Sequence, residues 1–352
     1  MKATIRNTVL MTSLAAAGMS AHAEGISFYA LLDGGVAHTA IKGAGTTASE
    51  TEFVTGGFAP NFVGLTGDKK LEKGYSMGFK VEQGFLLNQR TDGVSSRYFF
   101  GDDAVLNRQA NVFVKGDLGT LTVGTQPNIA FNSVLMADPR SGSNFGSSLA
   151  AVVISGGLGT IDNGSVSITL APMSGLSVSA QYVPQQSTPI GTKNGNRLAA
   201  VYTAGNLSAT IASYTNASST TAPDSSGTVL GATYKFGNFT AKALNLSQKN
   251  SPSTESLKTN GLGGSYALTA DTNLDFGTFK STKTSYDMST NAVGVYHKLM
   301  KDLTLYGQYA SVKNKGTSST PYNFAPPTNI TGSITTGQTA DTINIGLLFS
   351  YF

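Results

Sequence analysis

Apolar and polar residues alternate along most of this chain in short runs of period two, the signature of strands with one wet face and one dry face. In Ser165–Leu170, Ser165, Ser167 and Thr169 alternate with Val166, Ile168 and Leu170. In Leu176–Tyr182, Ser177, Ser179 and Gln181 alternate with Leu176, Val178, Ala180 and Tyr182. Tyr75, Met77, Phe79 and Val81 form another such face, with Lys80 and Glu82 on its opposite side. Read this way, the sequence predicts about sixteen strands. The first five are Ile26–Val36, Phe62–Gly67, Tyr75–Val81, Asn107–Lys115 and Thr120–Gly124, followed by Ser165–Leu170, Leu176–Tyr182, Arg197–Tyr202, Leu207–Tyr214, Val229–Phe236 and Thr240–Leu246. Leu262–Leu268, Leu274–Phe279, Ala292–His297, Leu303–Val312 and Thr342–Tyr351 complete the set.

The connections between these strands alternate in length. Short ones fall at 69–74, 116–119, 172–175, 204–206, 237–238, 269–271 and 299–302. Long Gly/Ser/Thr-rich ones fall at 39–60, 86–104, 126–163, 184–196, 215–227, 248–261, 281–291 and 313–341. Short turns on one rim, long loops on the other and an even strand number describe a closed transmembrane barrel. The expected fold is therefore all-β, a sixteen-stranded antiparallel transmembrane β-barrel. Closure leaves no strand edge unpaired in hydrocarbon, and the polar faces look into a wet lumen. With no Trp in the chain, aromatic girdles must come from its 14 Tyr and 18 Phe.

One connection breaks the pattern. From Gln126 to Asn163 the alternation stops for nearly forty residues, and a gap of that length inside a strand array is usually functional. Asp138, Pro139 and Arg140 lie in its middle, followed by Gly142, Gly146, Gly156, Gly157 and Gly159. This third long loop is expected to fold into the lumen and constrict it.

Composition adds an address. Lys2 and Arg6, an apolar stretch from Thr8 to Met19, and Ala21-His22-Ala23 read as an export signal, residues 1–23. The barrel then spans 24–352, with 126–163 as its constriction loop. Losing Lys2 and Arg6 lowers the formal net charge of +4 by two, and the scattered basic residues give no nucleic-acid footprint. There is no cysteine, which excludes disulfides, thiolate metal sites and cysteine nucleophiles. The mature chain holds two histidines, His38 and His297, in no Ser/His/Asp arrangement. Its glycine clusters lack the strand and helix context of a nucleotide site, and no His/Asp/Glu spacing suggests a metal. No cofactor is expected, and a channel is expected rather than an enzyme.

Several stretches resemble the general porins of Gram-negative bacteria, in their β-proteobacterial and neisserial branch. FYALLDGGV (Phe28–Val36) resembles that family's first strand, with Tyr29 and Asp33. GLTGDKKLEKGYSMGFKVEQGF (Gly64–Phe85) is similar to its second hairpin. LNRQANVFVKGDLGTLTVGTQ (Leu106–Gln126) resembles the strand pair entering the constriction loop. VYHKLMKDLTLYGQYASVKNK (Val295–Lys315) is the strongest likeness, and the chain closes on GLLFSYF. The resemblance implies a homotrimer in the cell outer membrane with a third loop inside each pore. Its implied partners are outer-membrane lipid and lipopolysaccharide, the barrel-assembly machinery, and the small hydrophilic solutes and ions that diffuse through. The departures concern selectivity. An S-R pair in the family's second strand is replaced by Asn61-Phe62, the strand after the long loop offers Asp162-Asn163 in place of an arginine, and the inner loop's acidic cluster is reduced to Asp138 beside Arg140.

The candidate pore-lining residues are Arg108, Arg197, Lys80, Glu82, Asp138, Arg140, Asp162 and Asp33, since fixed charges in a narrow aqueous passage set ion preference. Arg197 alternates with the apolar Leu198 and Ala200 and should face the lumen; each of the others has an alternative. Arg108 could sit at a subunit contact or the rim, and Lys80 and Glu82 could pair with each other. Asp138 and Arg140 could hold the loop's shape, and Asp162 and Asp33 could anchor the loop or cap a strand. Ile343, Ile345, Leu347, Phe349 and Tyr351 share one face, which leaves terminal Phe352, the expected assembly signal, either on a bulge or facing the lumen. Two further functions fit the same fold: a substrate-specific channel with Phe131 and Phe145 stacking on a solute, or an adhesin or receptor displaying 39–60 and 313–341.

Overall fold

The structure, a computed structural model, describes residues 25–87, 106–184, 194–216, 225–250, 255–324 and 332–352. The predicted export signal lies outside them, as do parts of five predicted long loops. Among the described residues no helix is long and apolar enough to cross a membrane. The strands close into a ring instead.

Strand β1 (Gly25–Gly43) pairs on one side with β2, which runs in two segments, Thr46–Thr55 and Asn61–Lys70. Antiparallel neighbours then follow in chain order. They are β3 (Ser76–Phe85), β4 (Gln109–Gly116), β5 (Gly119–Pro127), β6 (Ile161–Met173), β7 (Leu176–Val183) and β8 (Gly195–Ala204). Beyond them come β9 (Leu207–Thr215), β10 (Ser225–Phe236), β11 (Phe239–Asn250) and β12 (Ser256–Ala267). The last are β13 (Thr272–Lys283), β14 (Tyr286–Met300), β15 (Leu303–Asn314) and β16 (Thr339–Tyr351). Pairing of β16 back onto β1, from Ala30 opposite Tyr351 to Lys42 opposite Thr339, completes the circle of sixteen.

The outer wall carries the apolar set. Val36, Ile211, Leu262 and Ile345 are each more than half exposed, a state that water would penalise and lipid accommodates. Near the short-turn rim, aromatic rings replace the missing Trp. Phe236 and Phe239 lie 4.8 Å apart, Phe239 and Phe276 6.0 Å, and Phe28 and Tyr351 6.0 Å.

The predicted loop 39–60 is mostly strand. β1 continues to Gly43, turns through Ala44 and Gly45 at positive φ, and returns as Thr46–Thr55. Thr46, Thr47, Ser49, Glu50, Thr51 and Glu52 make this hairpin polar on both faces, so period two leaves no trace there. For the same reason β11 ends at Asn250 instead of Leu246, and β14 starts at Tyr286 instead of Ala292.

The break in β2, residues 56–60, is a built feature. Asp33 is fully buried and its carboxylate accepts from the backbone N–H of Phe58 (2.6 Å) and Ala59 (2.7 Å) and from the Tyr306 hydroxyl (2.6 Å). Asn61 binds back to Thr55 Oγ1 at 2.8 Å. The bulge carries Phe58 inward onto the rings of Tyr296 and Tyr306, 5.0 and 5.8 Å away, as bulges do when they re-aim a side chain.

Candidate functional site

The long connection between β5 and β6 begins with a helix, α1 (Ile129–Ala137). Asn128 caps it, its side-chain oxygen accepting from the N–H of Ala130 and Phe131 at 2.9 and 3.2 Å; a cap of this kind is worth about 1 kcal/mol. The helix buries Ala130, Val134 and Ala137 against Ala212, Tyr214, Val229, Leu244 and Leu246 of β9–β11. These wall residues share the face opposite the exposed Ile211 and Leu230. The inner face is thus apolar where the helix lies.

Beyond the helix the chain crosses the lumen. Asp138 is fully buried; one carboxylate oxygen accepts from the N–H of Arg140 (2.7 Å) and Gly142 (3.3 Å), the other from Ser148 N–H (2.9 Å) and its hydroxyl (2.5 Å). Arg140 is also fully buried. Its guanidinium pairs with Asp275 of β13 and donates to Gln308 of β15 at 2.7 Å. Lys242 of β11 donates to the Asp138 carbonyl (3.2 Å) and Ser141 Oγ (2.8 Å). Asn144 reaches the β2 bulge, where its N–H meets the Phe58 carbonyl at 3.2 Å and its amide the Gly56 carbonyl at 2.6 Å. On the return, Gln248 donates to the Val152 carbonyl at 2.9 Å and Asn216 to that of Gly157 at 2.7 Å. The segment is therefore fastened to strands from β2 round to β15, always on the face opposite the exposed apolar residues.

The facing wall holds a second cluster. Lys80 and Glu82 of β3 are 3.1 Å apart, and Arg108, just before β4, places Nε 3.3 Å from the other Glu82 oxygen. Tyr29 donates to Glu82 at 2.9 Å. The Arg108 guanidinium also lies 4.5 Å from the centre of the Phe62 ring and Lys80 Nζ 5.2 Å from that of Tyr29, both within cation–π range. Exposure separates the charges: the side chains of Lys80 and Arg108 are 20% and 26% exposed, that of Glu82 2%. Solvent in the lumen therefore meets the two cations and hardly touches the anion between them.

The remaining candidates lie apart from this cluster. Arg197 and Asp162 form a buried pair at 2.7 Å, with Arg197 donating further to the Thr215 carbonyl (2.5 Å) and Asn216 (3.0 Å). Asp33 serves the β2 bulge. Phe352 faces the lumen side, stacked near Tyr29 with ring centres 6.3 Å apart. Phe145 is 1% exposed, inside a cluster with Met288, Ala292 and Ala310, whereas Phe131 is only partly buried. Asp275, Gln308, Lys242, Gln248 and Asn144 are partners that sequence reasoning missed. A signal existed for two of them: Lys242 and Asp275 are charges at inward positions, each with neutral residues next to it on the same strand face.

A sequence profile of Gram-negative porins matches residues 8–317. No curated protein sequence matches the chain. Among solved structures, the fold is similar to an anion-selective porin from Comamonas acidovorans, with a TM-score of 0.78 and 19% identity over 94% of this chain and 100% of that one. The trimer form of OmpT, an outer membrane protein of Vibrio cholerae, gives 0.64 and 15% over 94% and 100%. A substituted porin of Rh. blastica gives 0.62 and 16% over 93% and 100%. With a closed sixteen-stranded ring, an apolar outer wall and a profile match over most of its length, the chain belongs to the Gram-negative porin family and is an outer-membrane channel.

Proposed function

We propose that this channel passes small hydrophilic solutes and ions by diffusion, with no chemical step, and that it favours anions weakly. The observation that carries the charge preference is the exposure of Lys80 and Arg108 around a shielded Glu82. A solute passing fixed charges in a low-dielectric wall feels those it can approach. Arg140, Arg197, Asp138 and Asp162 are engaged with one another or with the wall, so they act as fasteners of the inner loop, and residues 126–163 set the size limit. The anion selectivity of the Comamonas porin supports the sign, and the trimer form of the Vibrio protein supports assembly as a homotrimer. Outer-membrane lipid and lipopolysaccharide would surround the wall, and the barrel-assembly machinery would read the terminal strand with Phe352.

The test is the reversal potential of the refolded protein in a planar bilayer under a KCl gradient. A modest anion preference is expected, moved toward cations by Arg108→Ala and by Lys80→Ala and left nearly unchanged by Arg197→Ala. A cation-selective wild type, or an Arg197→Ala effect as large as that of Arg108→Ala, would overturn this assignment of charges. The substrate-specific reading loses Phe145, which is packed in the interior. For the surface-display reading, 39–60 is a paired hairpin in place of a free loop, with residues 42–51 exposed.

A further inference from the structure

Every charge in the inner loop is kept from water. Asp138 and Arg140 are fully buried and Asp162 is 5% exposed, and residues 126–163 hold no other ionisable side chain. What the loop shows to the lumen is neutral and largely apolar. Helix α1 packs on the wall through Ala130, Val134 and Ala137, with Ser133 buried beside them. At 3.6 residues per turn, Phe131, Asn132 and Leu135 fall on the opposite side, and all three keep part of their surface exposed. Phe131 and Leu135 border the same buried cluster as Val153 from the returning limb of the loop. Phenyl, isobutyl and isopropyl groups therefore rim one apolar shelf.

The other side of the passage is the reverse. β3 lies seven strands from β10 in the ring of sixteen, so the helix side turned from β9–β11 looks across the lumen toward Lys80 and Arg108. Those two cations are the solvent-facing part of their cluster, backed by the rings of Tyr29 and Phe62, with Glu82 shielded between them. Apolar side chains in contact with water cost free energy, and an exposed apolar patch marks a contact surface. Packing of the helix does not demand one here: Asn132, on the same side, shows that a polar residue is accommodated.

We infer that the constriction favours small organic anions with an apolar body, short-chain and aromatic carboxylates, over inorganic anions and sugars. The carboxylate meets Lys80 and Arg108 while the alkyl or aryl part lies on Phe131 and Leu135. Chloride gains from the wall alone. A sugar gains little from either side, since it brings no charge to the cations and no apolar body to the shelf. An alkylammonium ion suits the shelf and is repelled by the wall. The inference deepens the anion-favouring channel reading and rests on it.

The experiment follows the KCl current of single refolded wild-type channels while acetate, butyrate, hexanoate or hexylammonium is added. Full burial of a methylene is worth roughly fourfold, so partial contact with the shelf should lower the half-blocking concentration about twofold per added methylene, about sixteenfold from acetate to hexanoate. Hexylammonium should block far more weakly than hexanoate. Leu135→Asn should bring hexanoate close to acetate, and Phe131→Asn serves the same purpose should Leu135→Asn not fold. Arg108→Ala should weaken every carboxylate by a similar factor and keep the dependence on chain length. Equal half-blocking concentrations along the series, equal block by hexylammonium, an undiminished dependence in the loop variants or its loss in Arg108→Ala would overturn the proposal. The reversal potential of the same preparation keeps the two readings apart: an anion-selective wild type without chain-length dependence sinks this inference alone, and a cation-selective one sinks the charge assignment beneath it.

Discussion

At the scale of single residues, the inner charges divide by what surrounds them. Arg140 was readable as a charge in the loop that breaks the strand pattern, yet its partner Asp275 lies 135 residues away, a distance no local pattern encodes. Removing one member of a buried ion pair leaves the other uncompensated, at a cost of roughly 3–5 kcal/mol. Arg140→Ala should therefore loosen the inner loop, giving larger and noisier single-channel currents and a lower melting temperature of the barrel. Arg140→Ala combined with Asp275→Ala should cost much less than the sum of the two single changes. A double variant as damaged as the sum would mean that Gln308, which also binds Arg140, carries the anchorage. Lys80 and Glu82 needed no partner search, because period two placed both inward directly.

At the scale of elements, the strands were legible where one face is apolar and the other polar, and lost where both are polar. That explains the unread hairpin after Val36 and the short predictions for β11, β12 and β14. It also explains why α1 was unread. Its nine residues, IAFNSVLMA, bury against an inner wall made apolar to receive them, so the correlation lies between two distant segments. Close approach of helix and wall depends on Gly231 of β10, where a Cβ would collide with the methyl group of Ala137 and lie 2.9 Å from Thr210 Cγ2. Gly231→Val should push α1 toward the pore axis. Single-channel conductance is then expected to fall while ion preference stays with Lys80 and Arg108; unchanged conductance would mean the helix yields sideways along the wall.

At the scale of the whole molecule, the inner loop belongs to a stack of three segments. Asn144 sits at the junction, meeting the β2 bulge through Phe58 and Gly56 and accepting on its carbonyl from the Phe324 N–H at 2.9 Å. Phe324 lies in the last long connection, whose Tyr322 and Ile334 are buried in the cluster that holds Phe145. That connection read as a polar display loop because its apolar residues are few and far apart, and only the folded ring brings them over the inner loop. Contact across the mouth implies that it both narrows the entrance and steadies the constriction beneath. Excision of residues 317–336, with Gly316 joined to Gly337, should leave the ring intact, since β15 and β16 pair directly from Leu303–Phe349 to Lys313–Thr339. Conductance should rise and current noise increase as Phe145 loses its cover, with the reversal potential nearly unchanged because Lys80 and Arg108 lie outside the stack. A large shift in reversal potential on excision would place part of the selectivity at the mouth and require the charges there to be counted with those of the wall.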